Sequence, residues 1–370
     1  MKTVMFVVPS LGGGGAERVV LTLLKHLDRS QFQLSLVVLN TRRSVHLSEI
    51  PCDVELIDFG SRRVRSALLK LLRLIRKRRP DVVFSIQGYL NLGMALIKPW
   101  LPAGTRCVAR ETSIVSELLP LHRHPVVLRF LYRRIYQRLD TVVCQSRAMR
   151  DDLVTVYRFP ADKTVIIHNP VDVDWVRACA NEPAETAGLK PGCLNLVTAG
   201  RLSPEKGMDS VIQALALCRV QDLNLVILGD GQLRSALEAL ASKLGVRGQV
   251  QFAGFQTNPY PWFAQADLFV LGSRSEGFPN VALEALACGT PLVATPCDSL
   301  RDLGIEATEG LLSANFTPQA LADAIQQAVL RRAEFSVPVE RIRAKFGIAT
   351  IARQYRDLLL GLAQEPAASA

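Results

Sequence analysis

Three short runs of this 370-residue chain combine residue types that can act on an anionic ligand. The richest is Glu276-Gly277-Phe278-Pro279-Asn280-Val281-Ala282-Leu283-Glu284, between a strand ending near Leu271 and a helix running to about Cys288. Glu276 is expected in the loop and Glu284 two turns inside the helix. The two carboxylates are then no helical surface pair and address different parts of one ligand. Pro279 and Asn280 suit the helix start, whose free N–H groups would face a phosphate, and Gly289-Thr290-Pro291 ends it. The plainer alternative is an exposed helix acid beside an unrelated loop acid.

The second run, Gly200-Arg201-Leu202-Ser203-Pro204-Glu205-Lys206-Gly207, follows a strand directly. Arg201 and Lys206 on one loop can converge on a diphosphate, the guanidinium bidentately and the ammonium as a point charge. They would neutralise the charge that grows on a departing diphosphate. Two surface cations in a salt-bridged loop remain the alternative. The third run is Pro9-Ser10-Leu11-Gly12-Gly13-Gly14-Gly15-Ala16-Glu17-Arg18, between the first strand and first helix. Its glycines allow close backbone approach to an anion. It lacks the GxGxxG spacing and a P-loop lysine, which excludes the NAD and ATP fingerprints. A plain strand-to-helix turn would look the same.

These runs need a scaffold, and the rest of the chain describes one. Short β-rich runs (Thr3–Val8, Gln33–Leu39, Val54–Ile57, Asp81–Ser85, Arg106–Ala109, Thr141–Cys144 and Thr164–Ile167) alternate with helical-period segments. The pattern restarts at Leu194–Thr198, Asn224–Leu228, Val250–Phe252, Leu268–Leu271 and Pro291–Ala294. Such alternation predicts parallel sheets covered on both faces, and the strands read as nearly continuous apolar runs for that reason. The expected organisation is α/β: a Rossmann-like domain over 1–180, a Pro- and Gly-bearing linker over 181–192, a second such domain over 193–347, and a closing helix over 348–370. Open parallel sheets bind ligands beyond the carboxyl ends of their strands, which would put the site in a cleft between two facing domains.

Composition narrows the class. Hydrophobic residues at 49% and charged residues at 21% supply two cores and leave only the tail from Glu365 without structure-forming character. No stretch approaches the ~20 uninterrupted apolar residues of a spanning helix. The run Thr3 to Val8 stops at Pro9 and is too short for a signal peptide. Eight cysteines without CxxC pairs predict a reduced, cytoplasmic protein, with neither zinc nor disulfides. A formal net charge of +10 points to an anionic partner.

Taken together, EGFPNVALEALACGTPLVAT resembles the E-x7-E signature of the large retaining glycosyltransferase family four, and GRLSPEKG is similar to that family's diphosphate loop. GGGGAER and the HNPVD ending in Val171 and Asp172 extend the resemblance over essentially the whole chain. The resemblance implies the GT-B fold, with the acceptor mainly on the N-terminal domain and a nucleotide diphosphate-sugar on the C-terminal one. It implies a hexosyltransferase of cell-surface polysaccharide or lipopolysaccharide assembly, and a last helix, around Ile348 to Leu362, that crosses back to the first domain. By position, Arg201 and Lys206 would hold the diphosphate, Glu284 the ribose, and Glu276 would lie beside the transferred sugar. Gly14 and Gly15 would approach the phosphates, and Gly277, Phe278 and Asn280 complete the donor contacts. No cofactor is implied.

Two departures stand out. Many members carry a histidine after the strand that here reads Arg106 to Ala109, whereas this chain continues Arg110-Glu111-Thr112-Ser113; Glu111 or Arg110 would take part of that role. His122 and His124 read as loop residues. The family's paired glycines after Pro291–Ala294 are replaced by Cys297-Asp298-Ser299-Leu300. No nucleophile and acid/base pair is evident at the ~5–5.5 Å a covalent retaining mechanism needs. The family's favoured scheme is same-face attack, with the leaving phosphate helping to deprotonate the acceptor.

Asp172-Val173-Asp174 is formally a DxD, the metal signature of a different glycosyltransferase fold. It opens a helix at Trp175, where aspartates cap, so no essential metal is expected. Arg62-Arg63-Val64-Arg65 through Arg76-Lys77-Arg78-Arg79 brackets an apolar helix, and Arg129, Arg133, Arg134 and Arg138 mark a second basic one. Either suits an anionic membrane face and a lipid-linked acceptor on the inner side of the cell membrane. The first suits equally a crossover helix whose cations offset the macrodipole. Nucleic-acid binding is disfavoured, because aromatics are only 6% and no base-stacking platform emerges. A nucleotide-sugar epimerase of the same fold is the alternative enzyme.

Overall fold

Alternate residues of the first strand bury into opposite layers. Val4, Phe6 and Val8 join one apolar cluster and Met5 and Val7 another, all at 2% exposure or less. A strand covered on both faces must read as an unbroken apolar run, and Val4-Met5-Phe6-Val7-Val8 does. The computed structural model describes residues 1–12, 15–42, 44, 46–61, 64–182 and 186–361. It contains two compact units, one of residues 1–170 plus the segment from Ile348 onward, the other Val171–Gly347.

The first unit holds β1 (Lys2–Val8), β2 (Phe32–Val38), β3 (Glu55–Asp58), β4 (Val82–Ile86), β5 (Arg106–Arg110), β6 (Thr141–Cys144) and β7 (Thr164–Ile166). They form one sheet in the order β3-β2-β1-β4-β5-β6-β7. Every pairing is parallel, and β1 and β2 run in register from Lys2 opposite Phe32 to Val8 opposite Val38. The second unit holds β8 (Leu194–Ala199), β9 (Leu223–Leu228), β10 (Val250–Gly254), β11 (Leu268–Leu271), β12 (Leu292–Ala294) and β13 (Gly310–Leu312). Their order is β10-β9-β8-β11-β12-β13, again all parallel. The doubly wound α/β pattern expected from the sequence is present in both units. β13 is an addition, since the three residues Gly310-Leu311-Leu312 are too few to give a strand signal.

The passage between the units falls at Pro170 and Val171, not within 181–192. The helix Val173–Ala180 buries Val173, Val176 and Cys179 in the second unit's core. Residues read as linker from their Pro and Gly content are fastened there too: Trp262 Nε1 donates to the Ala187 carbonyl at 3.1 Å, and Asn224 Nδ2 to that of Gly188 at 2.7 Å. The composition marks a surface loop of the second unit rather than a tether. The helix Ile348–Leu360 returns to the first unit, burying Ile351, Tyr355, Leu358 and Leu359 among residues of β1, β2 and β4. Each such fully buried large side chain is worth about 1.5–3 kcal/mol of transfer free energy.

Candidate active site

In each sheet the chain reverses its direction of growth at one place. In the second unit it is between β8 and β11: β9 and β10 add on one side of β8, β11 to β13 on the other. The loops leaving β8 and β11 therefore diverge and open a crevice at the sheet's carboxyl edge. These loops are 200–207 and 272–279, the two that carry the charged runs.

Their backbones are pinned together. Gly207 sits in the left-handed region at φ +59°, and a Cβ there would lie 1.9 Å from the Gly272 carbonyl oxygen. Only a glycine lets the two turns approach so closely. Arg274, a residue sequence reasoning passed over, completes the brace. Its backbone N–H donates to the Glu205 carbonyl at 2.8 Å, and its guanidinium donates to the Pro204 carbonyl at 2.5 Å and to Asp209 at 2.6 and 3.0 Å. The loop after β9 packs from the other side, with Leu202 N–H donating to Asp230 O at 3.0 Å.

Within this frame Lys206 and Glu276 meet. Lys206 Nζ donates to both Glu276 oxygens, at 2.7 and 2.9 Å, and Ser273 Oγ donates to Oε1 at 2.7 Å. Glu276 is 8% exposed, so its charge needs this partner. Arg201 is exposed, on the same loop as Lys206. The helix Asn280–Ala287 begins after Pro279, with Asn280 as its first residue. Glu284 is half-buried and lies a little over one turn past that start, closer than the two turns expected. Cys288, one turn further, has its thiol pushed up to about 12 by burial, with the Glu284 charge adding to it. It is no nucleophile at neutral pH.

Phe278, expected among the donor contacts, turns its side chain into the core. Its side chain is 5% exposed and packs at 5.9 Å from the Phe346 ring in the core, so it holds the turn from beneath. Gly277 is partly exposed beside it. At Cys297-Asp298-Ser299-Leu300 the chain forms a short 3-10 turn, and Thr295 Oγ1 and Cys297 Sγ both donate to the Ser273 carbonyl, at 2.5 and 2.8 Å. This loop thus steadies the one bearing Glu276.

In the first unit the switch lies between β1 and β4. Gly14 falls outside the described residues; Gly15 is exposed and opens the helix Gly15–His26. Gln87, at φ +74°, donates from Nε2 to the buried Glu17 at 3.1 Å across this switch. Glu111, just past β5, is 3% exposed; Tyr136, Tyr132 (3.4 Å) and Asn91 (3.2 Å) all donate to its Oε1. Burial pushes its carboxyl above the usual glutamate range, against the pull of these donors. Arg110, fully buried on the other side, donates to Tyr355 Oη at 3.1 Å and to Asn169. His122 accepts or donates at 2.7 Å with Tyr89 Oη, and His124 is exposed.

Asp172 caps its helix, accepting from Trp175 N–H at 3.0 Å, and Asp174 pairs with Arg343 at 2.6 Å. Both aspartates of the formal DxD thus have structural work. Among the described residues no three His, Cys, Asp or Glu side chains converge on a metal position.

Two doubly wound parallel sheets with charged loops at their switch points are the architecture of the GT-B glycosyltransferases. HepE from Anabaena, solved with UDP and glucose, superposes with a TM-score of 0.82 at 20% identity, covering 98% of this chain and 100% of that one. WaaG, a glycosyltransferase of lipopolysaccharide biosynthesis, gives 0.72 at 18% identity over 97% and 100%. The model of glycosyl transferases group 1 matches residues 188–344, and that of Glycosyltransferase Family 4 matches residues 13–175. N-acetylgalactosamine-N,N'-diacetylbacillosaminyl-diphospho-undecaprenol 4-alpha-N-acetylgalactosaminyltransferase of Campylobacter jejuni is 30% identical over 98% of this chain and 100% of its own length. The lipopolysaccharide core biosynthesis glycosyltransferase LpsE of Rhizobium meliloti is 37% identical over 70% and 69%. The chain belongs to glycosyltransferase family 4 and is a glycosyltransferase. Relatives of this kind give the epimerase alternative no support.

Proposed function

We propose that this enzyme transfers a hexosyl group from a nucleotide diphosphate-sugar to a hydroxyl of a lipid-linked or polysaccharide acceptor, with retention at the anomeric carbon. The reading rests chiefly on the Lys206–Glu276 pair at the second unit's switch point, beside a helix start. An ammonium held by a carboxylate is already oriented, and a diphosphate arriving on its free side adds charge stabilisation without reorganising the loop. Arg201, exposed on the same loop, supplies the second cation, and the Asn280–Ala287 N-terminus supplies N–H donors. Glu276 then accepts from sugar hydroxyls and Glu284 from the ribose. Gly14, Gly15 and Glu111 are assigned to substrate binding by the family resemblance alone.

In the reaction the bond from the anomeric carbon to the β-phosphate oxygen breaks, and the acceptor oxygen bonds to the same face. The acceptor proton passes to the departing phosphate, and Lys206 and Arg201 stabilise the charge left there. No side chain has to form a covalent intermediate. The name of the Campylobacter relative specifies a diphospho-undecaprenol glycan, and HepE was solved with UDP; both support this choice of acceptor and donor classes.

A thermal-shift screen of nucleotide-sugars, repeated on Glu284→Ala and Lys206→Ala, tests the site. The preferred donor stabilises the parent and is weakened by both changes; unaltered binding in both variants refutes the assignment. The anomeric coupling constant of the product decides retention.

A further inference from the structure

The two basic helices singled out in the sequence have different surroundings. In the helix Val64–Arg78, Ala67, Leu71 and Ile75 face the core, Arg78 pairs with Glu55 at 2.6 Å, and Arg76 donates to the Trp100 carbonyl. That is a crossover helix with its apolar stripe already used. The helix Pro125–Arg134 is the reverse: Val126, Val127 and Phe130 are 80%, 57% and 59% exposed. Their spacing puts them on one face. Its inner face is fixed, because Tyr132 is buried with its ring 4.6 Å from Tyr136 and 5.4 Å from Tyr157.

Charge identifies what covers the outer face. From Leu118 through Leu139 there are five arginines and no aspartate or glutamate. Arg123, Arg129 and Arg134 are exposed around the apolar row. A purely apolar partner would leave these cations desolvated, and a purely anionic one would leave Phe130 in water. A bilayer with acidic headgroups satisfies both, since apolar side chains enter the acyl boundary while arginines stay among phosphates. The ten-residue helix is ~15 Å long at 1.5 Å per residue, too short to span and suited to lie in the interface.

We infer that the helix Pro125–Arg134 docks the enzyme on an anionic bilayer, with Val126, Val127 and Phe130 inserted and Arg123, Arg129 and Arg134 on lipid phosphates. This deepens the reading of a lipid-linked acceptor by naming the surface through which such a substrate is met. The chain supports that link: His122, three residues before the helix, is hydrogen-bonded at 2.7 Å to Tyr89, the second residue of the helix Gly88–Ile97 that follows β4. Docking here brings the bilayer beside the carboxyl edge of the first sheet.

The test is co-sedimentation with vesicles of equal parts phosphatidylglycerol and phosphatidylcholine, against phosphatidylcholine alone. The parent is expected to bind the acidic vesicles and to release them at high salt. Arg129→Gln with Arg134→Gln lowers the partition coefficient about five-fold per cation removed. Val126→Ser with Phe130→Ser lowers it at least as far as that pair. Arg65→Gln with Lys77→Gln, on the crossover helix, leaves it within about two-fold, because cations held away from the bilayer add little to binding. Unchanged circular dichroism and unchanged donor-induced thermal shift separate lost docking from lost folding and from failure of the donor site. No binding by the parent, or parent-level binding by both docking variants, overturns the proposal. So does a parent dimer that the serine variant dissolves, which would give this face to a second copy of the chain.

Discussion

Both units carry polar side chains at the carboxyl edge of their sheet, the second at its switch point and the first one strand beyond it, and the two sets are in opposite physical states. In the second, the charges lie on loops at the surface: Arg201 is exposed, and Lys206 keeps a quarter of its side-chain surface while paired with Glu276. In the first, Glu111 lies beneath Tyr132 and Tyr136, and Arg110 is wholly buried between Tyr355 and Asn169. An ion pair whose ammonium stays partly exposed, as that of Lys206 does, can admit a phosphate by sharing its cation. A buried carboxyl shielded by tyrosines cannot exchange partners so cheaply, and its effect is to fix geometry and proton affinity. Charge that must respond to a ligand sits on pinned loops, while charge that must not respond sits in the core.

The contrast can be broken most severely at Lys206. Lys206→Ala is expected to cut kcat/KM by roughly 10²–10³-fold, the usual cost of losing one electrostatic contact to a transition state. A loss under ten-fold would move the charge stabilisation elsewhere. Next comes the pinning: Gly207→Ala forces a Cβ against the Gly272 carbonyl and should destabilise the second unit by about 1–3 kcal/mol. Its denaturant midpoint reads this, and an unchanged midpoint would mean that the loops are not held by close approach.

Glu111→Gln sharpens the comparison from the other side. Burial raises the folded-state pKa of Glu111 above its ordinary 4.5, so the folded protein binds this proton more tightly than the unfolded chain does. The parent's stability relative to the Gln variant is therefore fullest below pH 4.5 and declines as pH rises through the raised value. A melting-temperature difference that is flat with pH would show that Glu111 is ionised without penalty. The smallest effect is at Asp172→Ala, which removes a helix cap and should cost about 1 kcal/mol while leaving transfer insensitive to chelators. Abolished activity restored by a divalent cation would return the metal reading to this Asp.

The second unit's site was legible because its chemistry is local. Arg201, Lys206, Glu276 and Glu284 fall within two short runs, each leaving a strand, and the strand pattern alone says that such loops share one sheet edge. Arg274 was not legible, since its work depends on Pro204 and Asp209 some 65–70 residues away. The Glu111 network was hidden for the same reason: Asn91, Tyr132 and Tyr136 come from two separate segments and read singly as core residues. The burial of the Phe278 side chain was not legible either, since it packs against Phe346, 68 residues further along the chain. The unit boundary misled because Pro and Gly are as common in fastened surface loops as in tethers.

The return of Ile348–Leu360 to the first sheet has a consequence for how the protein is made. The second unit is an uninterrupted stretch of chain and holds every strand of its own sheet. The first cannot cover Phe6 and Phe84, or satisfy Arg110 with the Tyr355 hydroxyl, until residues beyond 347 have been synthesised. Although translated earlier, the amino-terminal half must finish folding later, and until then the part of its sheet face that Ile351, Tyr355 and Leu359 cover remains open to chaperones and to misassembly.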